Sequence, residues 1–597
     1  MGFHTLSIGA TALLTAQYGL NVTGQNFANV DTPGYSRQIL NQAATKGWTG
    51  GLGNAIVGNG VWTTSIRRVA NEYLEKQLRG AVCTDEYYGT LRNCYSNIQS
   101  FFNEPATGSA ISDAMNQFWR AMGDLDSHIE SLGVRTTLLS EAELMTTRFN
   151  QLGIMLADYR KDIDNEVAES IKVINHLLNR IAELNQSVVT TECGGVSARV
   201  ANDLRDQRGE ALKQLYEYLD IDTVEEMNGS ISVSIHGRSL VYYDIVKEIA
   251  IDKAASPDGT LVNIPVFASD RYPLRPTNGI LAAQMEARDV IIPSYQKDIN
   301  DLAANFIWEF NRAYSQTRGL ESFSFLKSQP LNAPFNPAAT LDQLFYKDYV
   351  PEGTFQIVNG NFEIIVYNKN TNQPITVNIE VDLDGRPGPG GEPDMILWDP
   401  DNPTASHSLI NRMQKALDEA LPGAFKVSID RQYQISIEAN SSDFSFCFGV
   451  DTSGVLAALG LNVFFTGHNA ISMGVNQELR EHPSLMGGSL SFQTGDNEGV
   501  KLMLAIRDKD LANLKGMTLE GHYQASVGRL GSEASRVNNM KELSRDIRNS
   551  LFNQREEMSG VNDNEESLKL IYYQRAFQAA AKFITTVDEC YATLIAM

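Results

Sequence analysis

Hydrophobic residues recur with a helical period at both ends of the chain. Near the amino terminus, positions alternately four and three residues apart form a stripe through Leu6, Ala10, Leu13, Gln17, Leu20, Gly24 and Phe27. Near the carboxyl terminus, the same spacing connects Leu570, Tyr573, Phe577, Ala580, Ile584, Val587, Tyr591 and Leu594. A 3.5-residue repeat is typical of a coiled-coil seam. The amino-terminal stripe is the weaker of the two, because a glutamine and a glycine interrupt it.

Neither terminal helix is expected to be stable alone. Burying about seven large seam side chains contributes roughly 10–20 kcal/mol, whereas ordering about 25 residues costs roughly 25–50 kcal/mol of backbone entropy. Helical hydrogen bonds narrow that gap, but a lone helix buries no seam. Each terminal helix therefore needs a partner. The partner is either the other terminus of the same chain or a neighbouring subunit, and the periodicity does not separate these two possibilities.

Helical periodicity dominates several long segments between the two ends. Residues 65–189 contain few helix-breaking residues, and the pattern recurs at 199–219 and at 278–318. Helix resumes from about residue 499 and continues to the carboxyl terminus. These segments predict long helices that surround the more variable middle of the chain.

Strand-like patterns occupy two regions of the middle. Residues 221–275 alternate with period two, with hairpin turn signals at Asn228-Gly229 and Asp258-Gly259. Residues 331–475 contain further strand-like segments and one helix, next to stretches rich in proline and asparagine. Both regions are therefore predicted to be rich in β-structure.

The sequence predicts an α+β multidomain protein. Its centre would be a discontinuous helical coiled-coil core formed by the N- and C-terminal segments, with β-rich domains inserted in the middle. We predict four parts: a terminal helical coiled-coil domain (1–45 plus 555–597), a helical stem domain (46–220 plus 278–330 plus 476–554), a small β-rich domain (221–277) and an inserted β-rich outer domain (331–475).

Charge and composition narrow the range of partners. The chain carries 49 Lys and Arg against 72 Asp and Glu, a net charge of −23, and it has no basic block. We therefore predict that neither nucleic acid nor an anionic membrane is a partner. No apolar run reaches the roughly 18 residues of a membrane span. The chain also opens without a cleavable leader pattern, so we expect a cytoplasmic protein or one exported without a Sec-type signal.

Cysteine placement gives no sign of a disulfide framework or a zinc site. The five cysteines form no CxxC motif. Two of them, Cys83 and Cys94, would lie about 16 Å apart on one helix, too far for a disulfide. We predict that all five are small buried hydrophobic side chains, the other three being Cys193, Cys447 and Cys590.

No motif predicts catalysis. The eight histidines form no ligand-spaced cluster, and neither a GxSxG elbow nor a phosphate-binding GxxxxGK[ST] loop occurs. The glycine-rich residues 50–60 lack the third glycine and the preceding strand of a dinucleotide loop, so we predict a flexible or hairpin loop. The acidic residues 381–394 lack the spacing of a calcium loop, so we predict a solvated hairpin loop. We therefore expect no enzyme, no metal and no cofactor.

The segment 26–38, NFANVDTPGYSRQ, is predicted to end the first helix in a turn, because its Asn, Asp, Pro and Gly residues disfavour continued helix. It resembles the signature of the bacterial flagellar axial proteins, the rod, hook and hook-associated families. The residues that carry this signature turn are Asn26, Asn29, Thr32, Gly34, Tyr35 and Arg37. The carboxyl-terminal segment 559–597 is similar to the partner helix of the same families.

Three features make the chain resemble one branch of these proteins, the hook-associated protein 1 family of the hook–filament junction. The long helical block 66–190 is similar to that family's stem. Residues 202–241 look like its transition from stem to β-domain. The SGVN motif before the last helix, together with a length of 597 residues, also suits it.

The resemblance implies a structural adaptor that assembles at the distal end of the hook and allows filament assembly. It further implies flagellar type III export and an extracellular location. The implied partners are further copies of the chain in a ring or helical layer, the hook protein, a second junction protein, and the flagellar export chaperone and export apparatus. The expected assembly interface consists of Leu6, Leu13, Leu20, Phe27, Leu570, Tyr573, Phe577, Ile584, Val587, Tyr591 and Leu594.

Two alternatives stay open at this point. The chain could be a hook or rod axial structural protein, which would share the same terminal segments. From a different class, the inserted domain 331–475 could have a surface adhesin function.

Overall fold

The structure is a computed structural model of the chain. It describes residues 2–32, 34–46, 48–49, 56–102, 110–192, 201–329, 340–341, 357–371, 373–384, 394–399, 402, 405–431 and 434–596. By the density of internal contacts, the chain divides into two units. The terminal unit comprises Met1–Cys94, Lys161–Val290 and Ala534–Met597, and the central unit comprises Tyr95–Arg160 and Ile291–Glu533.

The helices of the described residues include several of great length. They are α1 (Gly2–Ala28), α2 (Glu72–Phe102), α3 (Ile111–Ser127), α4 (Leu132–Glu192), α5 (Asn202–Tyr218), α6 (Ile280–Glu286), α7 (Ile292–Tyr314), α8 (Leu409–Ala420), α9 (Val455–Ala458), α10 (Gln477–Glu481), α11 (Glu498–Ala505), α12 (Leu519–Ser559) and α13 (Asp563–Ala596).

The strands are short and pair antiparallel. They are β1 (Gln38–Ala44), β2 (Trp48–Thr49), β3 (Ile56–Val57), β4 (Val61–Arg68), β5 (Asp222–Glu225), β6 (Ile231–Ile235), β7 (Arg238–Tyr242), β8 (Ile245–Val246), β9 (Ile249–Ala255), β10 (Leu261–Phe267), β11 (Phe325–Lys327), β12 (Gly360–Asn368), β13 (Gln373–Val381), β14 (Phe425–Ile429), β15 (Ile435–Ala439), β16 (Phe444–Asp451), β17 (Phe465–Thr466) and β18 (Gly474–Val475). With long helices beside these sheets, the α+β prediction is confirmed.

Most of the β-structure falls in the two predicted regions of the middle, but strands β1 to β4 lie outside them, in parts of the chain that we predicted to be helical domains. Residues 221–275 form a four-stranded sheet in the order β5-β6-β7-β8 and a separate β9–β10 hairpin. Residues 331–475 contribute the sheet β13-β12-β16 and, with β11, the sheet β11-β15-β14. Helix α8 interrupts these strands as predicted, because its apolar residues repeat with a helical period and bury one face.

Three helix predictions need correction, one of them the continuous helix from about residue 499, which is broken between Ala505 and Leu519. Residues Ser65–Arg68 belong to strand β4, which pairs with β1 in a register that joins Gln38 to Arg68, and helix begins only at Glu72. The β-branched and alternating residues of β4 favour a strand over the helix that we predicted from Ser65. The predicted helix 278–318 contains a π-helical turn at Ala287–Ile291, directly before Pro293, which lacks the backbone N–H of a regular helix.

Each unit has its own hydrophobic core. In the terminal unit, α4 and α5 pack on the buried face of the β5–β8 sheet through residues such as Leu178, Leu212 and Val233. In the central unit, the inserted strands and α8 enclose a second core. A cluster of rings, which we call the aromatic cluster, lies in the central unit and consists of Phe118, Trp119, Phe306, Phe310, Tyr314, Phe464 and Phe465.

A buried ion-pair network joins α2 and α12 within the terminal unit. The Asp85 carboxylate is fully buried and lies 2.7 Å from Lys541 Nζ and 2.6 Å from Arg548 Nη1. The Ser544 hydroxyl also donates to Asp85 at 3.2 Å. A buried charge needs such partners, because its desolvation is costly.

The cysteine prediction is correct for three residues and wrong for one. Cys83, Cys94 and Cys447 are buried free thiols, but Cys590 is exposed. Cys590 lies on α13, of which only one face is covered by the chain, and this explains its exposure. Cys193 lies outside the described residues.

The two glycine-rich loops fall partly outside the described residues. Strands β2 and β3, on either side of residues 50–55, pair antiparallel as in a hairpin. Strand β13 ends at Val381, and Asn359 donates to Asp384 at 2.6 Å. Glu392 of the acidic loop lies outside the described residues. Among the residues that the structure describes, no group of three or more His, Cys, Asp or Glu side chains could hold a metal ion.

Candidate assembly surface and signature turn

Helices α1 and α13 pack antiparallel through a face of small residues on α1. The buried positions of that face are Gly9, Ala16, Gly19, Thr23 and Asn26. A Cβ atom at Gly9 would lie 2.6 Å from Ile584 Cγ1, and one at Gly19 would lie 2.4 Å from Tyr573 Cδ1. Both glycines are therefore notches that receive a large side chain of α13.

The large apolar residues predicted as the seam of α1 lie beside that notched face. Leu6 is 38% exposed and Phe27 is 52% exposed, whereas Leu13 and Leu20 are partly buried. The buried stripe is offset from the predicted one by one residue, or about 100° around the helix. Close approach of two helix backbones favours glycine and alanine at the contact, and the apolar stripe on the sequence did not reveal this.

The predicted stripe on α13 divides into two parts. Val587 is buried, and the partly buried positions are Tyr573, Phe577, Ile584 and Tyr591. Leu570 and Leu594 are exposed. The middle of the stripe therefore contacts α1, and its two ends face solvent.

The remaining face of this helix pair is apolar and exposed. Helix α1 contains no Asp, Glu, Lys or Arg from Gly2 to Ala28. On its outward side, Leu14 is 51% exposed and Tyr18 is 48% exposed. On α13, Leu568 is 69% exposed and Tyr572 is 68% exposed. An exposed apolar face of this kind marks an interaction surface. Sequence reasoning missed these four residues, although the lack of charge in α1 was a usable signal.

Asn26 of the signature turn is the centre of a buried hydrogen-bond network. Its side chain is 1% exposed. The Nδ2 group donates to Gln38 O at 2.8 Å and to Glu566 Oε2 at 3.0 Å. The Oδ1 atom accepts from Tyr35 Oη and from Gln38 N, each at 2.9 Å. One amide therefore joins the end of α1, the segment after the turn and the start of α13.

The turn itself is held against α12 and α13. Gly34 has a φ of +80°, a left-handed conformation that favours glycine. The guanidinium of Arg555 donates to Tyr35 O at 3.3 Å. Arg37 Nη1 lies 2.9 Å from Glu565 Oε2, and its backbone N–H donates to Ser559 O at 2.9 Å.

Helix α5 supplies acidic groups on the other side of the turn. Gln38 Nε2 donates to Asp203 at 3.1 Å, and Ser36 N donates to Asp206 at 3.3 Å. Arg68 pairs with Asp206 at 2.9 Å. Burial, together with the nearby Asp203 and Asp206 carboxylates, raises the pKa of Tyr35, so this phenol stays a hydrogen-bond donor.

The other two signature residues act locally. Thr32 Oγ1 donates to Asn29 Oδ1 at 3.1 Å, and Asn29 Nδ2 donates to Gln25 O at 2.9 Å. Both bonds are exposed and close the last turn of α1. The structure thus brings Asn26, Tyr35 and Arg37 into tertiary contacts, while Asn29 and Thr32 end the helix.

Two family models match the chain. The model described as the flagellar hook-associated protein FlgK helical domain matches residues 95–322. The model described as the flagellar basal body rod FlgEFG protein C-terminal matches residues 553–597, which include α13. No helix within the described residues is both long enough and apolar enough to span a membrane.

Relatives match along nearly the full length. The chain is 23% identical over 596 residues to flagellar hook-associated protein 1 of Salmonella typhimurium, covering 98% of each chain. It is also 23% identical over 593 residues to the Bacillus subtilis protein of that name, covering 98% of this chain and 96% of the relative. The flagellar hook junction protein FlgK from Burkholderia pseudomallei aligns with a TM-score of 0.49 and 14% identity, over 81% of this chain and 100% of that one. The chain is thus similar to flagellar hook-associated protein 1 along nearly its full length, and to the FlgK helical domain over residues 95–322.

Proposed function

We propose that this protein is a structural adaptor of the bacterial flagellum that assembles at the distal end of the hook as the hook–filament junction. The single observation that carries the proposal is the exposed apolar face of the α1–α13 pair. Similarity to flagellar hook-associated protein 1 along nearly the full length of the chain supports the flagellar setting.

The proposed assembly interface uses the terminal pair in two ways. Tyr573, Ile584 and Val587, with the partly buried Phe577 and Tyr591, hold α13 against α1. Leu6, Phe27, Leu570 and Leu594, with the partly buried Leu13 and Leu20, would be covered by neighbouring subunits. Burying a large apolar side chain stabilises a complex by about 1.5–3 kcal/mol. A layer of subunits that covers this face therefore gains free energy of burial that is absent in the monomer.

The finer parts of the proposal follow from this face and the family. The α1–α13 pair would form a discontinuous coiled-coil core lining the inner tube. Copies of the chain would form a ring or helical layer between the hook protein and a second junction protein. Export would use the flagellar type III apparatus with its chaperone and place the protein outside the cell. Nothing in the family or the described residues supports an enzymatic role.

A hook or rod protein is the near alternative, since such proteins share the terminal segments. The full-length relatives named hook-associated protein 1 favour the junction over that alternative. The comparisons give no support to an adhesin function in residues 331–475.

Deletion of the gene in its flagellated host tests the proposal. Electron microscopy should show hooks without filaments, and the spent medium should contain unassembled filament protein. Loss of the hook would instead make the protein a hook or rod component. Normal filaments and normal swimming would disprove the junction role.

One point variant tests whether the contact between α1 and α13 is required for this function. Ile584→Asp should prevent complementation of the deletion, because the charge would enter the notch at Gly9. Limited proteolysis should show that the rest of the chain is still folded. Full complementation by Ile584→Asp would contradict the proposed interface.

A further inference from the structure

Two buried polar residues face each other in the contact of α1 and α13, which consists mainly of small and apolar residues. Asn26 and Glu566 are each 1% exposed, and Asn26 Nδ2 lies 3.0 Å from Glu566 Oε2. Lys569 Nζ lies 2.7 Å from the other carboxylate oxygen, Oε1. A buried polar pair costs desolvation free energy that an apolar pair would not. Stability alone therefore does not explain why the contact contains it.

The two glycine notches favour the same register as this polar pair, because a Cβ at Gly9 or Gly19 would collide with the facing side chain of α13. The two notches, Gly19 with Tyr573 and Gly9 with Ile584, are part of a repeat of small residues that includes Ala12 and Ala16. A slip of one turn would bring other small residues opposite the same side chains of α13, so the notches are not the sole determinant of the register. Asn26 and Glu566 lie seven residues from Gly19 and Tyr573 on their respective helices, so the polar pair and the notch agree on a single antiparallel register.

We propose that Asn26 and Glu566 form a register pin that fixes the alignment of α13 on α1 and so the shape of the assembly surface. In coiled coils, one buried polar position selects one register at some cost in stability. Here Asn26 is also bonded to Tyr35 and Gln38. The pin therefore ties the helix alignment to the point where the chain leaves α1.

The position of the pin explains its effect on assembly, and this step rests on the proposed function. Asn26 is near the last residue of α1, and Glu566 is in the first turn of α13. Both helices extend away from that end, so an error there displaces every exposed apolar residue farther along. Asn26 and Glu566 are positioning residues, because they would act through the surface without being part of it.

The register can be measured in the purified monomer by electron spin resonance. One nitroxide label goes on the native exposed Cys590 and the other on Gln17→Cys, with Cys193→Ser in the background. In the register of the structure, these sites lie about 20 Å apart along the helix axis, and a slip of one turn changes the distance by about 5 Å.

Asn26→Asp is the decisive variant. It keeps the shape and the acceptor atom, but it replaces the donor that faces both Glu566 and Gln38 O with a carboxylate oxygen. We expect a shifted or broadened distance and loss of most filaments in the complemented deletion strain. Asn26→Asp combined with Glu566→Gln should restore the wild-type distance and most of the filaments, because the new amide can donate to the carboxylate; only the bond to Gln38 O stays lost. The proposal would be overturned if the Asn26→Asp variant showed the same distance between the two labels and the same number of filaments as the wild type.

Two further variants cover the remaining outcomes. Asn564→Asp makes the same chemical change at an exposed side chain two residues before Glu566, and should leave both readouts unchanged. If Asn26→Asp does not fold, Asn26→Leu with Glu566→Leu keeps the contact apolar. It should fold with wild-type helicity but give more than one distance; a single wild-type distance would also overturn the proposal. The deletion experiment is separate, so a monomer with a working pin but no junction role would be recognised.

Discussion

The terminal helix pair and the aromatic cluster bury apolar residues in opposite ways. In the central unit, each of the seven rings is at most 2% exposed, and Phe306 and Phe310 contact Phe465 with ring centroids 5.4 and 5.1 Å apart. In the terminal pair, glycine, alanine and threonine, together with Asn26, form the buried contact on α1. Large residues such as Leu14 and Tyr18 stay exposed there.

The aromatic cluster is a hydrophobic core that is complete within one chain, whereas the apolar surface of the terminal pair is only partly covered by the chain. The aromatic cluster has all its neighbours within one chain, so its stability does not depend on other subunits. In the terminal pair, the small residues of α1 contact the partner helix, and the large apolar residues stay exposed and available for contacts with other subunits. Free energy from assembly then adds to the stability of the terminal pair, as for any binding partner of the folded state.

The largest effect is expected in the aromatic cluster. Phe306→Ala should lower the free energy of unfolding of the central unit by about 3–5 kcal/mol, because it removes a buried ring and leaves a cavity. Calorimetry of the purified chain measures this. Phe325→Ala, at a 49% exposed position of the same unit, is the matched control and should change stability by less than about 0.5 kcal/mol. Equal losses for the two variants would contradict the comparison.

A smaller effect is expected at the notch of α1. Gly19→Val should destabilise the terminal pair by about 1–3 kcal/mol through overpacking against Tyr573. Gly24→Ala is the control, since a Cβ there meets nothing within 4 Å, and it should stabilise α1 by about 0.5–1 kcal/mol. Hydrogen exchange in α1 and α13 reports both. If the two substitutions had the same sign, the notch would not be the contact.

The outward face of α1 should hardly affect the monomer. Tyr18→Ser should change the free energy of unfolding by less than about 0.5 kcal/mol, because the side chain is already half exposed. The same variant should nevertheless reduce filament number in the complemented deletion strain, since the neighbouring subunit loses its contact. Tyr18→Phe is the matched control, because it keeps the aromatic ring, and it should leave filaments intact. A stability loss as large as that of Gly19→Val would mean that Tyr18 belongs to the interior.

Thiol labelling should show the same contrast without changing stability. With Cys193→Ser in the background, a maleimide should react quickly with Cys590 and slowly with the buried Cys83, Cys94 and Cys447. Burial raises the pKa of Cys83 to about 12, so its reactive thiolate is scarce at neutral pH. Peptide mass spectrometry identifies the labelled sites. Rapid labelling of Cys83 in the folded chain would contradict its placement in the core.

Much of the fold could be predicted because periodicity depends on local geometry. The helical repeat over 570–594 and the period-two pattern of 221–275 each reflect which side of an element is covered. Strand β4 was missed because Ser65–Arg68 is too short for its period to be distinguished from the helix that follows. The exposure of Cys590 was missed because a cysteine alone does not reveal whether its side of a helix is covered.

The candidate site was only partly predictable. The signature turn could be found from its own residues, because Asn, Asp, Pro and Gly end a helix through local conformational preferences. The role of Asn26 could not be predicted from the sequence, since its partner Glu566 lies 540 positions away along the chain. The face of α1 that contacts α13 could not be predicted either, because a glycine is recognised as a notch only when the facing side chain of the partner helix is known.

The sequence by itself determined where helices and strands occur, where α1 ends, and that both terminal helices need partners. These are properties of local propensity and of apolar periodicity, which neighbouring residues define. Only the tertiary structure decided that small residues would contact α13, that large ones would remain exposed, and that Asn26 would meet Glu566. Those outcomes depend on how closely two distant segments can approach, and that distance is set by the volume of both faces together.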